Sequence, residues 1–117
     1  MEKWINFIEW AIPDKSEREQ VRLYVKSAIA GIRSDRILIF FGTGRNGKSV
    51  LRRLIEKIPG APNVLSKSIL ELNDFAPYGG KYVLINFSNT IDERDGDPML
   101  LSKLFNNIDE IKDWFME

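Results

Sequence analysis

The sequence lacks both cysteine and histidine. These absences exclude disulfide bonds and thiolate or imidazole metal sites, so a bound metal would need oxygen ligands, which suit Mg²⁺. No apolar run approaches the roughly 20 residues that a membrane span requires. The N-terminus also lacks the basic-then-apolar layout of a signal peptide. We therefore expect no membrane association and a cytoplasmic location.

The length and composition are those of one globular domain. A chain of 117 residues can bury a modest core but is too short for two domains. Its composition, 44% hydrophobic and 29% charged, is typical of globular proteins. We expect a single domain over 1–117, with N-terminal helices in 1–34 and a nucleotide-binding core in 35–117.

The charges are unevenly distributed although the net charge is zero. Residues 15–53 hold ten basic side chains and three acids, whereas residues 88–117 hold eight acids and three bases. The favoured interpretation is solvated helix faces whose charges complement the helix dipoles. The alternatives are a basic surface for polyanions, or head-to-tail packing between subunits.

Hydrophobic periodicity predicts helices and strands in alternation. A first helix over 2–12 ends at Pro13, and a capping box of Ser16 and Glu19 opens a second helix that stops at Gly31. Continuous apolar runs predict strands buried on both faces at 37–41 and 81–87. A helix from Lys48 to about Lys57 lies between them. This alternation indicates an α/β fold, with helices packed on a small parallel sheet and an N-terminal helical pair before it.

Weaker patterns occupy the remaining segments. Residues 63–65 form a candidate short strand, a capping pattern at 68–71 predicts a brief helix, and 77–80 form a turn. A polar loop over 88–98 ends at Asp97, which we expect to cap one or two closing helices whose first helical position is Pro98.

A phosphate-binding motif follows the first predicted strand. It comprises Gly42, Thr43, Gly44, Arg45, Asn46, Gly47, Lys48 and Ser49. The pattern is short, but here a buried strand leads in and an amphipathic helix leads out, which is the context that the motif requires. The alternative, a glycine-rich turn with an incidental Lys-Ser pair, is disfavoured by that agreement.

Each part of the motif has a predicted role in holding ATP and Mg²⁺. The glycines allow a tight turn whose backbone amides point at phosphate oxygens. The start of the following helix, through Val50, adds the partial positive charge of its N-terminus. Lys48 can reach the β- and γ-phosphates, and the Ser49 hydroxyl can ligate Mg²⁺.

Hydrolysis would need more than the motif. A phosphate-loop NTPase normally has an acidic residue at the end of a neighbouring strand. Here the second strand continues through 86–90 with amides and hydroxyls. Asp92 and Glu93 in the following loop are the candidate catalytic acids, and Asp74 is a weaker candidate acid. Lys48 is the third candidate catalytic residue. The favoured alternative for the loop acids is that they are solvated charges.

Around this motif the chain resembles the superfamily 3 helicases of viruses, phages and plasmids, and most closely the poxvirus-like primase-helicase branch. The resemblance covers 2 to about 90 and rests on a Trp-containing helix at Trp4, the Pro13-Asp14 step, the second helix, the Asn46-Gly-Lys-Ser form of the motif, and Gly80-Lys81 before a strand. It implies a three-layer phosphate-loop fold that binds ATP and Mg²⁺ and serves viral or plasmid DNA replication, often as a hexameric ring.

The family's later elements have no clear counterpart in this sequence. These are a third strand with a polar sensor, a DNA-contacting hairpin and an arginine finger. The favoured function is therefore a shortened, ATP-binding relative of these helicases; DNA binding is not supported by the net charge. The alternatives are a non-catalytic module for a larger replication protein and, last, a small nucleotide kinase. The module would dock through Trp4, Trp10, Trp114 and Phe115, although these side chains are more simply core.

Overall fold

A computed structural model of the protein describes residues 2–32, 37–42, 47–58, 82–91 and 96–117. The elements within these ranges are α1 (Glu2–Ala11), α2 (Lys15–Ile29), β1 (Ile37–Phe41), α3 (Lys48–Lys57), β2 (Tyr82–Asn86), α4 (Leu100–Phe105) and α5 (Ile108–Met116). The predicted strand at 63–65, the helix from 68 and the turn at 77–80 lie outside them. No helix in the described ranges has the length and apolarity needed to cross a membrane.

Helix α2 begins two residues earlier than the capping-box pattern predicted. Its N-cap is Asp14, whose Oδ1 accepts the amide of Glu17 at 3.0 Å. Ser16 lies inside the helix, and its hydroxyl donates to the same Asp14 oxygen at 2.7 Å. Glu19 pairs with Arg22 instead of reaching back to a cap. The capping-box prediction is wrong because the earlier carboxylate is itself a strong cap and also complements the helix dipole.

The Asp14 cap makes the stability of α2 sensitive to acid. Hydrogen bonds from the Ser16 hydroxyl and the Glu17 amide lower the pKa of Asp14 below its usual 3.8. A lowered pKa in the folded state stabilises the protein above the unfolded-state pKa, and this contribution is lost as the pH falls through the folded-state value. We expect Asp14→Asn, which keeps a capping oxygen but does not titrate, to lose less stability than the wild type between about pH 7 and pH 3. Urea unfolding at both pH values measures the difference, and equal losses would contradict this role of the carboxylate.

Helix α2 ends where the sequence predicted, at a glycine. Gly31 has φ +76°, a left-handed conformation. The amide of Ile32 donates to the carbonyl of Ser27 at 2.9 Å, and the amide of Gly31 donates to that of Ala28 at 3.1 Å. This pair of bonds is a Schellman motif, in which glycine supplies the positive φ.

Strands β1 and β2 form a parallel pair. Ile37 is opposite Tyr82, and Phe41 is opposite Asn86. The amide of Phe87 extends the ladder by donating to the carbonyl of Phe41 at 2.9 Å. The prediction of an α/β arrangement with a parallel sheet is confirmed for the two strands that the structure describes. Because the strands are parallel, their carboxyl ends lie at the same edge of the sheet, where α3 begins.

The two faces of this sheet differ in burial. Leu38, Phe40 and Val83 pack against the core, and Ile85 and Phe87 are fully buried within it. On the opposite face Phe41 is 40% and Leu84 is 49% exposed. The prediction of strands buried on both faces is therefore wrong for this pair. The reason is that, among the described elements, the helical core packs on only one face, so the second helical layer is not found there.

An aromatic cluster joins the N-terminal and C-terminal helices in the core. The ring of Trp4 lies 5.4 Å from that of Trp114 and 5.7 Å from that of Phe115, measured between centroids. Trp4 and Phe115 are buried, so the prediction that they belong to the core is confirmed, and a docking role for these two side chains is excluded.

Two closing helices follow the 88–98 segment, but the first begins later than predicted. The side-chain carboxylate of Asp97 accepts a hydrogen bond from the amide of Met99 at 2.9 Å. The backbone carbonyl of Asp97 accepts one from the amide of Leu100 at 3.1 Å. These bonds close a turn over Pro98 and Met99, so α4 starts at Leu100. Pro98 is thus a turn residue, and its predicted place as the first helical residue is wrong.

Candidate functional site

The structure describes both ends of the predicted phosphate loop. Of the predicted site residues, Gly42, Gly47, Lys48, Ser49 and Val50 are in the described ranges. The others lie outside those ranges: Thr43, Gly44, Arg45, Asn46, Asp74, Asp92 and Glu93. The geometry of the site therefore comes from the first residue of the loop, the first turn of α3, and the elements packed against them.

Lys48 spans the loop from one end to the other. Its Nζ donates to the carbonyl oxygen of Gly42 at 2.7 Å. Gly42 directly follows β1, and Lys48 is the first residue of α3. The ammonium group therefore lies at the carboxyl end of β1, between the two ends of the loop, where a bound anion would meet a positive charge.

The first turn of α3 has the backbone arrangement of an anion site. Gly47 is its N-cap, with φ +88°, and the first helical bond runs from the amide of Leu51 to the carbonyl of Gly47 at 2.9 Å. The amides of Lys48, Ser49 and Val50 therefore precede the helical ladder. A glycine N-cap has no side chain to compete for them, and the helix dipole favours negative charge at this position. Ser49, in the same turn, is an exposed residue.

Two aromatic side chains of α1 pack against the end of the loop. A methyl group placed on the Cα of Gly47 would lie 3.1 Å from Cε1 of Phe7 and 3.3 Å from Cζ3 of Trp10. Both distances are tighter than ordinary van der Waals contact. Position 47 thus favours glycine for two reasons: its φ is positive, and a Cβ there would crowd the rings of Phe7 and Trp10.

The exit of β2 carries amide and hydroxyl groups at the same sheet edge. Asn86 ends the strand, and Ser88 and Asn89 follow as exposed residues. The side-chain Nδ2 of Asn89 donates to the carbonyl of Trp10 at 2.9 Å, which ties this exit to α1. Residues 86–91 contain no carboxylate. In the part of the chain that the structure describes, no group of three or more acidic side chains is placed to hold a metal.

Glu17 is a site neighbour that no local sequence pattern predicts. Its Oε1 accepts the backbone amide of Asn86 at 2.7 Å. Because the amide of Phe87 points at β1, that of Asn86 points to the opposite edge of β2. Among the described residues, the Glu17 carboxylate is the partner that satisfies it there. The carboxylate thus fixes the first turn of α2 against the last residue of β2. The two partners are 69 residues apart in the chain, so helical periodicity gives no sign of the contact.

Removing the Glu17 carboxylate should loosen the joint between α2 and β2. We expect Glu17→Ala to lower the free energy of unfolding by about 1–3 kcal/mol, since it leaves a partly buried amide without its charged acceptor. The control is Glu56→Ala, which removes an exposed pair with Arg52 that is worth at most about 0.5 kcal/mol. Urea unfolding of both variants measures the two costs. Equal costs would show that the Glu17 contact contributes no more than a surface ion pair.

Comparison with protein-family models, with curated proteins and with solved structures finds no match to this chain. The functional conclusion therefore rests on the residues themselves. They form a parallel strand, a loop bridged by a lysine, a helix that begins with a glycine N-cap, and a second strand exit beside it.

Proposed function

We propose that the chain binds ATP, together with Mg²⁺, through the loop at 42–49. The observation that carries this proposal is the hydrogen bond between Lys48 Nζ and the carbonyl of Gly42, 2.7 Å long. It holds the lysine ammonium beside the first residue of the loop rather than extended into solvent. A phosphate oxygen, being anionic, is a stronger acceptor than a carbonyl and would exchange with it.

The described residues fit the triphosphate and its metal. The amides at the start of α3 supply donors for phosphate oxygens, and Lys48 supplies the charge for the β- and γ-phosphates. Ser49 is the residue that would ligate Mg²⁺ with its hydroxyl, an oxygen donor of the kind that this ion prefers. When bound, Mg²⁺ would neutralise part of the phosphate charge. In this proposal the fold is the three-layer phosphate-loop type, of which β1, α3 and β2 are a part.

We further propose that the chain is a shortened relative of the superfamily 3 helicases that serves viral, phage or plasmid DNA replication. Support comes from the sequence features that the chain shares with that branch and from the packing of the two helices that precede the loop, α1 and α2. Helix α1 contacts the end of the loop, and α2 contacts the last residue of β2. The chain would act in a homo-oligomeric ring or with a larger replication protein.

A non-catalytic nucleotide-binding module is the second candidate function. It is favoured by the exit of β2, where the neighbouring strand offers Asn86, Ser88 and Asn89 and no acid. Without a carboxylate to orient water or hold the metal's hydration shell, ATP would be a bound ligand and turnover would be absent. Asp92 and Glu93 are the acids that an active enzyme would have to use.

Mg²⁺-dependent phosphate release separates the two candidates. We expect an active enzyme to lose turnover in the double variant Asp92→Asn/Glu93→Gln. The matched control is Asp109→Asn/Glu110→Gln, a second adjacent Asp-Glu pair on exposed residues of α5. Loss of turnover in the first variant alone would support catalysis by the loop acids. ATP binding without turnover in the wild type would establish the non-catalytic module.

A further inference from the structure

Trp10 touches both halves of the site. A Cβ placed on Gly47 would lie 3.3 Å from Cζ3 of the Trp10 ring, so the ring edge packs closely against this glycine. The carbonyl oxygen of Trp10 accepts a hydrogen bond from Asn89 Nδ2 at 2.9 Å. One residue of α1 therefore contacts the end of the phosphate loop through its side chain, and the exit of β2 through its backbone.

The position of Trp10 differs from that of its neighbour Phe7. Phe7 is 5% exposed and belongs to the buried core, so its contact with Gly47 is part of general packing. Trp10 is only partly buried and packs at the margin of that core. A large ring at the margin is not required to fill the interior, yet it lies against the residue whose positive φ turns the loop into α3.

This contact leaves the end of the loop little room to move. Gly47 has no side chain, so the rings approach its backbone closely. Any rearrangement of Gly47 that accompanies occupation of the loop must shift the Trp10 ring or be resisted by it, because protein interiors transmit small displacements. The hydrogen bond from Asn89 to the carbonyl of Trp10 links the same residue to the exit of β2, so a shift of Trp10 would also affect that exit.

We propose that Trp10 is a positioning residue that holds the end of the phosphate loop against the exit of β2, and that its ring responds when a nucleoside triphosphate fills the loop. This inference rests on the proposed function. It adds a specific role for α1, which otherwise would serve only as part of the core. Trp10 acts through Gly47 and Asn89 and is not itself a phosphate ligand.

Tryptophan fluorescence tests the response of the ring. Addition of Mg²⁺-ATP should change the emission of the wild type and of Trp114→Phe, and the change should be absent in Trp10→Phe. Trp114 is a matched control because it is also a partly buried tryptophan, and its ring contact is with Trp4. AMP, which lacks the β- and γ-phosphates, should leave the emission unchanged. A change of emission that persists in Trp10→Phe would overturn the proposal.

Calorimetric titration tests the positioning role apart from fluorescence. Trp10→Ala should bind Mg²⁺-ATP about tenfold more weakly, a loss of about 1.4 kcal/mol, and Trp10→Phe should restore most of the affinity by keeping a ring against Gly47. Asn89→Ala is the second variant, because Asn89 is exposed and we expect its replacement to leave the fold intact. It should weaken binding about threefold with little change in the urea midpoint.

The outcomes separate the two proposals. Wild-type affinity in both Trp10→Ala and Asn89→Ala would overturn the role of Trp10 while leaving ATP binding by the loop intact. If Trp10→Ala does not fold, Asn89→Ala decides the same question. No binding of Mg²⁺-ATP by the folded wild type would overturn the proposed function and this inference together.

Discussion

Replacing Lys48 with alanine is expected to weaken ATP binding by about 10- to 100-fold. The ammonium lies 2.7 Å from the carbonyl of Gly42, and Lys48 is the first residue of the helix whose amides would hold the anion. Hydrogen bonds to charged groups contribute about 1.5–3 kcal/mol, and each 1.4 kcal/mol corresponds to about a tenfold change in affinity. Calorimetric titration of both proteins with Mg²⁺-ATP measures the effect.

Lys57→Ala provides the matched control for Lys48→Ala. Lys57 is in the last turn of the same helix and is exposed, so its loss removes the same charge about 14 Å away along the axis at 1.5 Å per residue. We expect its affinity for ATP to stay within about twofold of the wild type, because an exposed charge beyond the Debye length is screened. Equal affinities of the two variants would mean that ATP does not bind at Lys48.

Replacing Gly47 with alanine is expected to be among the most destabilising single changes in this chain. The residue has φ +88°, and a methyl group there would lie 3.1 Å from the ring of Phe7. A left-handed conformation costs a non-glycine residue about 1–2 kcal/mol, and overpacking typically costs a further 1–3 kcal/mol or so. We expect a total loss of about 2–5 kcal/mol in the free energy of unfolding, together with weaker ATP binding, because the turn into α3 must change.

Gly31→Ala separates the two costs at Gly47. Gly31 has a similar φ of +76°, but nothing lies within 4 Å of a methyl group at that position. Its substitution should therefore cost only the conformational part, about 1–2 kcal/mol. Urea unfolding of both alanine variants gives the difference, which is the steric part. If the two glycine substitutions cost the same, the rings of α1 do not pack against the loop as described.

The sequence predicts the order of the elements that the structure describes. Helical periodicity and punctuating residues placed α1, α2 and α3 to within a few residues, and Gly31 ended α2 as its conformational freedom predicts. Apolar runs located both strands. The positions of these helices and strands depend mainly on residues close together in the chain, and a single sequence shows such local patterns.

What the sequence could not predict depends on contacts between distant segments. The Glu17–Asn86 hydrogen bond and the packing of Phe7 and Trp10 on Gly47 join segments far apart in the chain. Leu84 belongs to an apolar run that predicts a buried strand. It is nevertheless exposed, because exposure depends on which side of the sheet the helices cover. The start of α2 was misplaced for a different reason, because Asp14 and Ser16 are both good caps and only the geometry distinguishes them.

For the candidate site, the sequence predicts the loop, and the structure adds the surroundings of its two ends. The hydrogen bond from Lys48 to Gly42 joins those ends, while contact of this lysine with phosphate stays a prediction. The contacts of Trp10, by contrast, have no signature in the spacing of residues, because apolar side chains at helical intervals predict core packing whatever they pack against.

Titration of the wild-type protein with Mg²⁺-ATP in a calorimeter tests the central claim most directly. Binding through a phosphate loop predicts a saturable, single-site isotherm that ADP also gives and that AMP does not, because the β-phosphate is the group that the loop holds. The same isotherm should be lost or strongly weakened in Lys48→Ala. The absence of binding by the folded wild type, or equal binding of ATP and AMP, would contradict nucleotide recognition by the loop at 42–49.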